Sequence, residues 1–259
     1  MLYHFIDESY TPTPVSGIWH CYIGGPLIDG SRLAELEVEL AKVIWTADRG
    51  EAFRDGLRRP VLPIREFGST DFFCDLGYSD DELLVIFRNL LAVMKQFDVK
   101  YLISAVSSPR RAFARFRKIF PRQGGLEIQD RAFQEIPFHL APRAQDELIQ
   151  MVIDLGLSES FQKEYEMYVS SATSLVSVIA VAGDDDGVAL RQWRNLPCPV
   201  FISSKSSRVM QMTDMVVGLC RWKAEGSTGS FKQLLYDAFE MYLSDVTIEL
   251  ENLDHVAGE

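Results

Sequence analysis

Acidic residues in four separate stretches are the groups in this chain best placed to do chemistry. Asp7 and Glu8 close the short apolar run "LYHFIDESY", so a strand there delivers charge at its exit. Alternation puts Asp7 on the face of Tyr3 and Phe5, and Glu8 on the face of His4 and Ile6, so only one of the pair is expected to point into a given site. Asp184, Asp185 and Asp186 follow "SLVSVIAVAG", which is short, β-branched, uncharged and stopped by glycine, the clearest buried-strand signal in the chain. Ligand sites of α/β sheets lie beyond the carboxyl ends of strands, where these three acids would sit. A solvated turn hinged at Gly183 and Gly187 is the plainer alternative. Asp214, in "VMQMTDMVVG", is too deep inside an expected helix to be its N-cap. Its neighbours Met210 and Val217 are apolar, and a carboxylate beside an inward face is costly unless paired, hydrogen-bonded or metal-bound. Gln211 is a local candidate partner, and Gly218 is expected to let another backbone approach. Glu66, in "IREFGSTDFF", reads equally well as a surface loop acid beside Arg65.

Were such acids to meet, their repulsion would call for a cation. Magnesium or manganese suits an all-oxygen site, and two ions about 4 Å apart can activate a water and stabilise the leaving oxygen of a phosphodiester. That chemistry needs no histidine or cysteine nucleophile, which fits a chain with four histidines in no catalytic spacing. Two carboxylates acting on a sugar are a weaker competitor. No G-x-S-x-G elbow, G-x-x-x-x-G-K-[ST] phosphate loop or G-x-G-x-x-G turn occurs. "SSKSS" resembles a serine–lysine pair only superficially.

The formal net charge of -11 argues against a protein that coats nucleic acid non-specifically. Charge is uneven, however: "RRAFARFRKIFPR" (110–122) holds six basic residues and no acid. Arg110, Arg111 and Arg115 offer contacts to a nucleic-acid backbone, with Phe113, Phe116 and Phe120 interleaved. An amphipathic helix with its phenylalanines in the core explains the same stretch and is compatible with that role. Cys21, Cys74, Cys198 and Cys220 show no C-x-x-C spacing, as expected of reduced thiols in a cytoplasmic protein. No run reaches the roughly 18 apolar residues of a membrane span, no membrane association is expected, and the start is expected to carry no signal peptide.

The elements that must position these groups alternate between strand and helix. Strands are expected over "LYHFIDES", "VSGIWHCYIGGPLI" with a bend or bulge at Gly24-Gly25, "VKYLISAVSS", "SLVSVIAVAG" and "PVFIS". Helices are expected over "RLAELEVELAKVIWTA" capped by Ser31, "DDELLVIFRNLLAVMKQF" capped by Ser79, "APRAQDELIQMVIDLG", part of "SESFQKEYEMYV", "SRVMQMTDMVVGLCRWKAE" and "FKQLLYDAFEMYLSDV". The pattern predicts an α/β layered fold: a mixed central sheet flanked by helices. One domain over 1–225 is expected, with helical insertions, followed by a C-terminal helix and acidic tail over 226–259.

"FIDES" at the N-terminus, a Glu in the first third, an acid after a late apolar strand and "SSKSSRVMQMTD" together resemble the domain-of-unknown-function 3800 family. The resemblance spans roughly residues 3–223, with its sharp motifs at the two ends. Members of that family are similar to the ribonuclease-H-like superfamily, whose sites gather acids from a first strand, a middle element, a later strand and a final helix. The resemblance implies Asp7, Glu66, Asp184 and Asp214 as catalytic, metal-holding acids, with Glu8, Ser9, Lys205 and Gln211 close by. It leaves open which of Asp184, Asp185 and Asp186 turns inward. Lys205 would neutralise a phosphate or orient an acid. Three positions depart from the family pattern: Tyr10 in place of Gly, Thr213 in place of Ala, and Gly68 in place of His. The activity so implied is a magnesium- or manganese-dependent nuclease or phosphoryl-transfer enzyme. The alternative is a binding or regulatory module that keeps the fold without catalysis.

Overall fold

The structure is a computed structural model that describes residues 1–10, 18–47, 79–109, 136, 140, 147–154, 199–226, 230–241 and 247–252. In chain order the elements are β1 (Leu2–Tyr10), β2 (Ile18–Asp29), α1 (Leu33–Ala47), α2 (Asp80–Gln96), β3 (Lys100–Pro109), β4 (Ile149–Asp154), β5 (Val200–Ile202), α3 (Arg208–Ala224), α4 (Ser230–Glu240) and β6 (Thr247–Asn252). The expected α/β layering with a mixed sheet is present. Six strands form one sheet in the order β5-β4-β1-β2-β3-β6. β1 runs antiparallel to β2 and parallel to β4; β2–β3 is antiparallel, and β3–β6 and β4–β5 are parallel.

β1 lies inside the sheet because its residues suit burial on both faces: His4, Phe5 and Ile6 are all buried. Phe5, Tyr22, Ile28, Tyr101 and Ile103 share one core cluster with residues of α1, α2, α3 and α4. Tyr101 meets Phe239 of α4 edge-to-face, with ring centroids 5.5 Å apart.

Local sequence explains the helices. Ser79 caps α2 in a reciprocal box with Glu82, and Leu83, Leu84, Phe87, Leu90, Leu91 and Met94 make its buried stripe. Ser31 is not the cap of α1. Asp29 Oδ1 accepts from the Ser31 amide and hydroxyl, and this turn leads into a helix that begins at Leu33. No bulge interrupts β1–β2, since the register runs without a slip from Leu2↔Asp29 to Tyr10↔Cys21.

One expected helix is a strand. "APRAQDELIQMVIDLG" reads as helical, yet Ile149–Asp154 is β4, between β1 and β5. Ile149, Met151, Val152 and Ile153 are all buried, so both faces of the run are covered. A short apolar run of this kind has no period of its own, and tertiary pairing decides its state. The terminal helix also stops earlier than expected, at Glu240, and Thr247–Asn252 of the acidic segment joins the sheet beside β3. The expected strand at 174–183 lies outside the described residues.

A candidate acidic site at the strand ends

Parallel pairing of β1 with β4 runs from Leu2↔Ile149 to Ile6↔Ile153, so the next step sets Asp7 beside Asp154. β4 ends on Asp154, and β1 carries Asp7 three residues before its own end at Tyr10. On its other side Asp7 pairs with Gly24. Here glycine is required. A Cβ on Gly24 (φ +139°) would lie 2.2 Å from the Leu102 carbonyl oxygen, and one on Gly25 (φ +155°) 2.4 Å from Thr213 Cγ2. The bare backbone of β2 therefore lets α3 lie close on this face, and Asp214 follows Thr213 on that helix.

The residues before α3 hold the arrangement. The Ser204 amide donates to Asp154 Oδ1 at 2.9 Å, and Gln211 Nε2 donates to the Ser204 carbonyl at 3.0 Å. Gln211 Oε1 in turn accepts from Arg208 at 2.9 Å. Ser207 caps α3 by accepting from the Met210 amide. Glu37 of α1 accepts from the Ser207 hydroxyl and the Arg208 and Val209 amides, a carboxylate placed on the positive end of α3.

Charge crowding at this edge is strong. Burial raises Asp7 well above the usual carboxylate range, Glu8 and Asp214 add to the rise, Asp154 contributes less, and a 2.8 Å bond from the Glu8 amide opposes it. Burial also pushes Glu8 up to about 8, with Asp154 the next cause and Asp214 a further one. Both carboxyls sense Asp154 and Asp214.

The donor set, carboxylate oxygens crowded by like charge, fits a hard divalent cation in chemistry and in electrostatics. As arranged, no three His, Cys, Asp or Glu side chains among the described residues are grouped to hold one ion.

The structure brings together two of the acids expected from sequence, Asp7 and Asp214. Glu66, Asp184, Arg110, Arg111 and Arg115 lie outside the described residues. Lys205 sits in the short 3-10 turn Ser204–Ser206, directly after the amide that holds Asp154. Among the described residues nothing lies within 4 Å of a Cβ added at Gly218, so none of them makes the close approach expected there. Asp154 is the residue that sequence reasoning missed. Its signal was present: "IQMVID" ends an apolar run on Asp just as "HFID" does.

No protein-family model, curated protein or solved structure is matched by this chain. Among the described residues, no helix is long and apolar enough to cross a membrane.

Proposed function

We propose that this protein is a divalent-metal-dependent enzyme that cleaves phosphodiester bonds of nucleic acid on a ribonuclease-H-like fold. Asp7, Asp154 and Asp214 would hold magnesium or manganese, with Glu8 beside them. The observation that carries this reading is the register that sets Asp7 of β1 beside Asp154 of β4, with Asp214 of α3 adding to the same charge crowding. A first strand, a later strand and a final helix are the sources of acids that the family resemblance implies. Bound ions would supply an activated water and stabilisation of the leaving oxygen. The chain's own part is positioning: the Ser204 amide fixes one oxygen of Asp154, Gln211 fixes the Ser204 turn, and Gly25 admits α3. Lys205 and the 110–122 segment would contact phosphates, and the Glu66 and Asp184 carboxylates would complete the ligand set. The buried free thiols Cys21 and Cys220 are consistent with the cytoplasmic setting this reading assumes.

Single-turnover cleavage of DNA and RNA panels with Mg²⁺ and Mn²⁺ tests the proposal. Cleavage is expected to fall by at least about 100-fold in Asp7→Asn and in Asp154→Asn. Wild-type rates no higher than those of an Asp7→Asn, Asp214→Asn double variant would refute it. The second reading, a non-catalytic binding module, is favoured by the lack of a three-ligand grouping among the described residues. No Mn²⁺ binding by calorimetry, no rise in melting temperature with Mn²⁺ and no cleavage of any substrate would select it.

A further inference from the structure

A second feature lies on the same sheet face as Asp7, further along β2. A pocket of about 410 Å³ opens between β2, β3, α3 and α4, within the size range of small-ligand sites. Register places it relative to the acids. Gly24 pairs with Asp7, and Tyr22 and His20 follow on the same face of β2, roughly 7 and 13 Å away at ~3.3 Å per residue. Nothing in the phosphodiester chemistry above uses it.

Its walls combine three kinds of chemistry. Tyr22 and Tyr236 supply aromatic surface. His20 Nδ1 and Ser107 Oγ share a 2.8 Å hydrogen bond that fixes the imidazole. Burial lowers the His20 pKa, against the opposing charge of Glu225, which favours the neutral ring. Lys223, the exposed member of the lining, stands over the Tyr236 ring at 4.6 Å and is the cation of the mouth. Cys220 also lines the pocket, but burial pushes its thiol up to about 12, so it is apolar surface and no nucleophile. Planar aromatic walls, a neutral hydrogen-bonding pair and a cation at the rim match a heteroaromatic ring joined to a phosphate.

We infer that this pocket binds one nucleotide unit, with its base between Tyr22 and Tyr236 near His20 and Ser107, and its phosphate at Lys223. The inference rests on the phosphodiester reading only in assigning the unit to a polymer. The unit would then lie one or two nucleotides from the scissile bond, and its base would have to be unpaired to enter.

The test is binding in EDTA, where metal chemistry at the acids is silent. The probes are AMP, CMP, GMP and UMP, the matching nucleosides and inorganic phosphate, followed by calorimetry. At least one mononucleotide is expected to bind, its nucleoside more weakly. Lys223→Ala should weaken the nucleotide about tenfold and leave the nucleoside unchanged. Ala224→Trp, which puts an indole into the pocket, should abolish both. Should that variant fail to fold, Lys223→Ala decides alone. No binding by any mononucleotide at millimolar concentration overturns the inference, as does phosphate binding as tightly as the nucleotide. Unchanged affinity in Lys223→Ala overturns it too. The two proposals fail separately. Nucleotide binding without cleavage supports the pocket and removes only the acidic-site reading; cleavage without nucleotide binding removes only the pocket.

Discussion

Glu8 is pushed up to about 8 because burial strips water from its carboxyl, and because Asp154 and Asp214 add like charge. The ordinary value is 4.5, so the folded state holds this proton more tightly than the unfolded chain. Stability from that difference is complete below about pH 4.5 and is lost as pH rises through about 8. Asp7 is raised too and acts in the same sense. In EDTA the melting temperature should therefore fall between pH 5 and pH 8, and Mn²⁺ should restore it at pH 8. Asp214→Asn removes one of the repelling charges. At pH 8 without metal it should melt about 2–4 °C higher for each ~1 kcal/mol relieved, and its response to Mn²⁺ should shrink. A metal-free melting temperature that climbs from pH 5 to pH 8 would contradict the crowding.

Positions of whole elements rest on a few interactions that cross between them. Glu37 joins α1 to α3 by accepting three hydrogen bonds at the α3 N-terminus, where orphan amides and the helix dipole favour a carboxylate. Glu37→Ala should cost about 2 kcal/mol and lower the melting temperature by roughly 4–8 °C. Because the same helix start carries Gln211 and so the Ser204 turn, this variant should also weaken Mn²⁺ binding, although Glu37 is not a proposed ligand. A loss of stability with metal affinity intact would show that α3 keeps its place without this link. Ser79 and Glu82 cap α2 from within five residues of sequence and were legible there. Glu37 and Ser207 meet across 170 positions and could not be read from either segment alone.

At the scale of the molecule, a net charge of -11 opposes a polyanion, so the proposed attraction to nucleic acid would have to come from local features. Arg110, Arg111 and Arg115 stand in a stretch of six basic residues without an acid. Replacing all three by Ala should weaken nucleic-acid binding across sequences alike. For each phosphate no longer neutralised, the slope of log affinity against log salt should flatten by about 0.7–0.9. The titration is read by fluorescence anisotropy at salt concentrations from about 50 to 200 mM, with Mg²⁺ fixed. An unchanged slope would assign the stretch to packing, as its phenylalanine spacing also allows.

Composition and local pattern determined the α/β class and α2 with its cap, because each depends on neighbours within a few residues. Tertiary structure alone decided that 149–154 is a strand and that Asp154 stands beside Asp7. It also decided that Gly24 serves the close approach of β3, and Gly25 that of α3, rather than a bulge. The physical reason is the same in each case. An apolar hexamer suits a buried helix or a buried strand equally, and a glycine suits a turn or a tight approach. The choice is made by pairing and packing partners far away in the sequence.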